Sequence, residues 1–265
     1  MDLRKEDIAK ETEEKLARSL TAETTELIPF LPYLLQDFWE LGSDPDVIVK
    51  LILKHAALPK DAQILDLACG KGAVSVKLAK KLGVKVKGID LTPEFIDYAA
   101  GKAKEYGVGD LCEFVQGDIC DAVNNEKGYD CTVFGAAGNV LGDPAQTLEA
   151  LKATVKTGGY ILIDECYLPD SAGREDVKYK NYEYLTEAQW AALFKEKGLE
   201  LIEADENGDS GADTGMADIT ARVNELIKEY PDKRDIFEGY IRSQQNEYDD
   251  IDSSLICVTW ILRKL

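Results

Sequence analysis

Histidine, long apolar runs and a surplus of positive charge are what this sequence has little of. Of its 265 residues only one is histidine. His55 stands in Leu53-Lys54-His55-Ala56 and reads as a structural or surface group, which leaves proton transfer to carboxylates and tyrosines. No window approaches about 18 consecutive apolar residues, so no membrane-spanning helix is expected. The opening residues, Met1 to Asp7, are charged and hold no apolar stretch, which argues against a secretory leader. Lys and Arg number 31 against 50 Asp and Glu, a net charge of −19. Such a field repels phosphate-rich partners, so nucleic acid is not expected as a partner, and a solvated acidic surface accounts for it. The six cysteines, at 69, 112, 120, 131, 166 and 257, form no C-x-x-C pair. Reduced thiols in a cytoplasmic protein are expected, with neither disulfide nor zinc site.

What is there begins at residues 62–73, Ala-Gln-Ile-Leu-Asp-Leu-Ala-Cys-Gly-Lys-Gly-Ala. Ile64 to Leu67 reads as a short buried strand with Asp66 near its end. Cys69 to Gly72 makes a glycine turn, and Val74 to Leu82 carries a helix. Strand, acid, glycine turn and helix form a grip for a small charged ligand at the C-terminal edge of a parallel sheet. Glycine lets the backbone approach the ligand where a Cβ would collide. A carboxylate before the turn suits a cationic ligand and opposes a pyrophosphate. Ser75 stands where a dinucleotide fingerprint wants its third glycine.

Val84 to Ile89 is a second apolar strand ending in Asp90. That acid lies about 20 residues beyond Gly70, where a strand-end carboxylate takes ribose hydroxyls. Thr92-Pro93 then starts a helix, with Thr92 as N-cap. A third strand runs from Cys112 to Gly117-Asp118, and a fourth from Tyr129 to Phe134, followed by Gly135-Ala136-Ala137-Gly138. Strand and helix alternate to Ile202, an α/β pattern with a doubly wound sheet.

Asp66-x-x-Cys69-Gly70-x-Gly72, Asp90 and Gly117-Asp118 resemble the motifs of the class I S-adenosylmethionine-dependent methyltransferases, over about residues 45–204 and the last strand. The Gly42-Ser43 loop and Glu165-Cys166-Tyr167 add a weaker likeness to the small-molecule, UbiE-like branch. The resemblance implies a Rossmann-like sheet of seven strands, the seventh antiparallel, with helical lid elements. It implies S-adenosylmethionine as cofactor and methyl transfer to a small-molecule acceptor. It assigns cofactor contacts to Asp66, Ala68, Gly70 and Gly72 at the turn and to Asp90 and Leu91 at the ribose. Asp118 and Ile119 fall at the adenine, Ala136 after the fourth strand, and Trp39 and Gly42 in the preceding loop. No metal is implied: a catechol-type Mg²⁺ site wants an acid after strand four, and Gly-Ala-Ala-Gly stands there.

Around that core, residues 1–57 are read as N-terminal helices that form part of a lid. Residues 58–204 and 255–265 are the cofactor-binding core, and 205–254 are a helical insertion between strands six and seven. Asp205 to Thr214 reads as a polar linker, with helical spacing over Ala217–Tyr230 and Arg234–Asp249. The first helix also offers a surface for a homodimer. Strand five ends in Asp164-Glu165. Alternation sends those two carboxylates to opposite faces, so one of them is the expected acceptor-orienting acid. Tyr33 is a further catalytic candidate, although an aromatic stripe at helical spacing is more often core. A nicotinamide-dependent oxidoreductase and a non-catalytic S-adenosylmethionine-binding protein stay open as alternatives.

Overall fold

The computed structural model describes residues 3–180, 182–206 and 212–265. Seven strands, β1 (Gln63–Leu67), β2 (Lys85–Asp90), β3 (Cys112–Gln116), β4 (Tyr129–Gly135), β5 (Val155–Tyr167), β6 (Leu199–Glu206) and β7 (Ile256–Lys264), form one sheet in the order β3-β2-β1-β4-β5-β7-β6. The helices in chain order are α1 (Leu3–Ser19), α2 (Leu31–Leu34), α3 (Pro45–His55), α4 (Ala73–Leu82), α5 (Pro93–Glu105), α6 (Ile119–Asn125), α7 (Pro144–Thr154), α8 (Glu187–Glu196), α9 (Ala212–Glu229) and α10 (Arg234–Ser253). Strands β1 to β5 pair in parallel and β6 pairs antiparallel with β7. This is the expected doubly wound sheet.

The helix starts are written in local chemistry. Asp44 caps α3 by accepting the N–H groups of Asp46 and Val47, with Pro45 in the first turn. Asp143 with Gln146, and Thr186 with Gln189, close reciprocal capping boxes on α7 and α8. Thr92 holds the N-cap position of α5 but makes no side-chain capping bond; the Asp90 carboxylate takes its N–H instead.

The chain divides into two compact units. One comprises Trp39–Glu165, Leu185–Asn207 and Cys257–Leu265. Its core sandwiches β1, which is buried on both faces, among Ile48, Ile52, Val76, Leu78, Val86, Cys131, Val133 and Leu162. Such continuous burial is the signature of a parallel strand covered by helices on both sides. The other unit comprises Met1–Phe38, Cys166–Tyr184 and Gly208–Ile256. It packs Leu27, Leu31 and Leu34 against Ile219, Val223, Phe237 and Tyr240. Within it the buried Asp250 carboxylate accepts the backbone N–H groups of Lys178 and Tyr179, which ties the 177–179 stretch to α10.

Three expectations are corrected. Residues 205–206 continue β6 and 212–214 begin α9; the rest of the expected linker, 207–211, lies outside the described residues. Tyr33 is not a core residue: its side chain is exposed. The thiols are not all reduced. Cys166 and Cys257 are disulfide-bonded, while Cys69, Cys112, Cys120 and Cys131 are free. Among the described residues no helix is long and apolar enough to cross a membrane.

Candidate active site

β1 is flanked by β2 and β4, with Asp66 in register between Gly88 and Val133. Its carboxyl is buried and accepts the Ser75 hydroxyl at 2.6 Å. Burial pushes its pKa up to about 7; the Ser75 bond pulls down, while the charges of Asp90 and Asp164 push further up. Ser75, which breaks the dinucleotide pattern, thus has a role of its own.

The turn that follows is held by the backbone. Ala68, Gly70 and Gly72 all have left-handed φ, +56°, +50° and +75°. The Cys69 N–H donates to the Ile89 carbonyl, and the Gly72 N–H to the Cys69 carbonyl. At Gly72 only glycine fits, because a Cβ would stand 2.6 Å from the Ala99 Cβ and 3.0 Å from the Phe114 ring. The Lys71 ammonium lies 4.9 Å from the Tyr98 ring centroid and 5.8 Å from that of Phe95.

Asp90 closes the other side. Oδ2 accepts the Gly70 N–H and Oδ1 the Thr92 N–H, both at 2.9 Å. Burial raises its pKa against the pull of those two backbone donors. The neighbouring Leu91 is half-buried, and its carbonyl accepts Gln116 Nε2. One strand further, Asp118 caps α6 by accepting the Cys120 N–H at 2.8 Å, with Ile119 buried beside it.

A strap of chain, Trp39 to Ser43, faces this turn. Trp39 Nε1 donates to the Lys71 carbonyl at 3.0 Å, and Lys102 sits over the indole. A cleft separates Trp39, Glu40, Leu41 and Ser43 from Asp66, the 68–74 turn and Gly135. Gly42 (φ +95°) lies where a Cβ would stand 2.6 Å from the Ala136 Cβ, and Ala136 is itself left-handed at φ +49°.

At the far edge, Gly135 pairs with Asp164 across β4 and β5. Thr259 on β7 donates its hydroxyl to Asp164 Oδ1. Oδ2 is sealed from solvent; the Ser43 hydroxyl lies beside it but outside hydrogen-bond geometry. Burial pushes the Asp164 pKa up to about 6, against the pull of the Ser43 and Thr259 hydroxyls. The thiols nearby are kept protonated by burial, Cys69 well above its usual range and Cys112 at about 11.

The structure therefore brings together Asp66, Ala68, Gly70, Gly72, Asp90, Trp39, Gly42 and Ala136 around the turn, with Asp118 and Ile119 one strand along. Glu165 is half-buried on β5. Tyr33 belongs to the helical unit, where its hydroxyl donates to Glu225 and Arg222 lies over its ring. His55 bonds Glu203 and is structural. Sequence reasoning missed Ser43, Ser75 and Thr259. Only Ser75 left a local signal, its place on the first turn of the helix facing Asp66.

A family described as "Methyltransferase domain" matches residues 58–217. A ubiquinone biosynthesis O-methyltransferase of Colwellia psychrerythraea is 31% identical over 138 residues, 48% of this chain and 55% of that protein. The Bacillus subtilis (strain 168) protein YqeM, named as a candidate methyltransferase, is 50% identical over 48 residues, 18% of this chain and 19% of that one. The alignments thus span about a fifth and about half the length of these two relatives. Among solved structures, an S-adenosylmethionine-dependent methyltransferase from Geobacter sulfurreducens, crystallised with S-adenosyl-L-homocysteine, superposes with TM-score 0.74. It covers 88% of this chain and 97% of that one at 22% identity, a likeness of fold.

Proposed function

The chain belongs to the methyltransferase-domain family, and on that premise we propose that it transfers the methyl group of S-adenosylmethionine to a small-molecule acceptor. The observation that carries the reading is the Gly70 turn held by Asp90. It presents a glycine backbone, braced by a carboxylate, to one side of a cleft whose floor carries the buried Asp66. Besides the hydroxyl and backbone N–H of Ser75, the groups that act on Asp66 are the carboxylates of Asp90 and Asp164, an environment that suits a cation and disfavours a pyrophosphate. The orphaned Asp164 oxygen fits the same requirement.

In this reading Asp90 and Leu91 hold the ribose, and Asp118 and Ile119 the adenine. The turn from Asp66 to Gly72, with Ala136, Trp39 and Gly42, holds the amino-acid end. When bound, the sulfonium supplies a methyl group on a good leaving group. The chain's own task is to hold the acceptor in line and exclude water, which can supply ~7–11 kcal/mol. Glu165, Asp164 and Tyr33 remain the candidates for orienting the acceptor. The acidity of the chain supports an acceptor other than nucleic acid.

Calorimetric titration with S-adenosylmethionine, S-adenosylhomocysteine and NADH tests the reading. Micromolar binding of the first two and none of the third is the expected result. Binding of NADH alone, or of nothing, overturns it.

A further inference from the structure

A buried carboxylate is stable only when its oxygens find donors. Asp164 meets that condition fully at one oxygen only, because the Ser43 hydroxyl that acts on the carboxyl stands out of hydrogen-bond geometry with the other. Thr259 serves Oδ1, and Oδ2 is sealed from water without a bond of its own. The residue stands behind the edge of the cleft. A Cβ on Gly135, which lines the cleft, would lie 3.2 Å from Asp164 Oδ2 and 2.1 Å from Ser43 Oγ. Gly135 has no side chain, and the atom nearest to where its Cβ would stand is the Ser43 hydroxyl oxygen, which can swing about its Cα–Cβ bond. The charged groups that act on this carboxyl and its neighbour Asp66 are acids: Asp44 on Asp164, and Asp90 and Asp164 on Asp66.

We infer that Asp164 Oδ2 receives the α-ammonium group of the methyl donor beside Gly135, with Thr259 as the positioning residue that holds the opposite oxygen. The inference rests on the methyl-donor reading above and names a counter-charge on the fifth strand, in addition to the glycine turn. An orphaned acceptor needs an N–H or O–H. A sulfonium carries positive charge but no such donor, whereas an ammonium brings three donors and a full charge.

The test needs no knowledge of the acceptor. Binding of S-adenosylmethionine, S-adenosylhomocysteine and 5′-methylthioadenosine is measured calorimetrically on the whole chain and on Asp164→Asn, which is isosteric and still accepts from Thr259. The first two ligands carry the α-ammonium and the third does not. The expected result is a loss of tenfold or more for the first two and no change for the third. Thr259→Val should show the same selectivity at smaller amplitude, with Thr259→Ser restoring it. That series also decides the matter should Asp164→Asn fail to fold.

A loss confined to S-adenosylmethionine would place the carboxylate against the sulfonium and overturn the inference. Equal loss for all three ligands would make Asp164 a structural support, and unchanged binding throughout would reassign it to the acceptor side. If the unmodified chain binds none of the three, the methyl-donor reading fails first. If it binds all three and the variants do not discriminate, only this inference fails.

Discussion

Asp90 accepts the N–H of Gly70 at 2.9 Å, which makes the acid at the end of β2 a structural brace for the turn after β1. The same carboxylate takes the Thr92 N–H. Residues assigned to a ligand by motif are therefore also the residues that hold the ligand site open. A binding defect at Asp90 cannot be read as a lost ribose contact alone.

Replacing Asp90 by alanine leaves two sheltered backbone donors without a partner, each worth ~1–3 kcal/mol. The ligand-free Asp90→Ala variant should lose ~2 kcal/mol or more in denaturant unfolding, besides losing affinity for S-adenosylmethionine. Unfolding identical to the unmodified chain would show that the brace is not needed.

Asp66 makes stability depend on pH in the direction opposite to an ordinary surface carboxylate. Its pKa rises from 3.8 unfolded to about 7 folded. Between those values the folded state binds the extra proton, so stability falls as pH rises through the window and the deficit is complete above about 7. Three units correspond to ~4 kcal/mol at most. Asp164, pushed to about 6, works in the same direction, as does mutual repulsion in a chain of net charge −19. Urea unfolding of the ligand-free protein should give higher stability at pH 5.5 than at pH 8. Asp66→Asn, which can still accept from Ser75, should flatten that slope. A stability that climbs toward pH 8 would contradict the assignment.

Two left-handed glycines at the ends of α4 separate conformational strain from packing. Gly72 and Gly83 have φ of +75° and +69°. A Cβ on Gly83 meets nothing within 4 Å, and one on Gly72 meets Ala99 at 2.6 Å. Gly83→Ala should cost only the left-handed penalty, ~1–2 kcal/mol. Gly72→Ala should cost that plus a backbone shift that disturbs the turn, so it should lose both more stability and ligand affinity. Equal costs in parallel denaturation curves would deny the close approach of α5 to the turn.

How much of this was legible in the chain depends on how local each signal is. Asp66, Gly70, Gly72 and Asp90 are strand ends and turns written in consecutive residues, and all converge as expected. The Thr186 and Asp143 capping boxes span four residues each, close enough in the chain for a local pattern to mark them. The partner of Asp164 was not legible, because Thr259 lies 95 residues away. It arrives only because β7 sits next to β5 in the sheet. At Ser75 the error was one of emphasis. Read as a missing glycine, it was evidence against one ligand; in the fold its hydroxyl is the donor that lets Asp66 be buried.

Of the three tryptophans, only Trp39 borders the cleft. Trp190 and Trp260 are buried against each other with ring centroids 5.1 Å apart. The Trp39 indole donates to the Lys71 carbonyl within the glycine turn and lies 5.0 Å from the Tyr106 ring. A ligand that settles on this turn alters the surroundings of that one indole and leaves the Trp190–Trp260 pair as it was. Titration with S-adenosylhomocysteine should therefore change tryptophan emission in the unmodified protein and in Trp190→Phe. In Trp39→Phe the signal should vanish although calorimetry still detects binding. Phenylalanine keeps the apolar contact but loses the N–H, a bond worth ~1 kcal/mol, so affinity should fall about fivefold. A persistent emission change in Trp39→Phe would mean that the ligand acts on the buried pair, and would move the site away from the 39–43 strap.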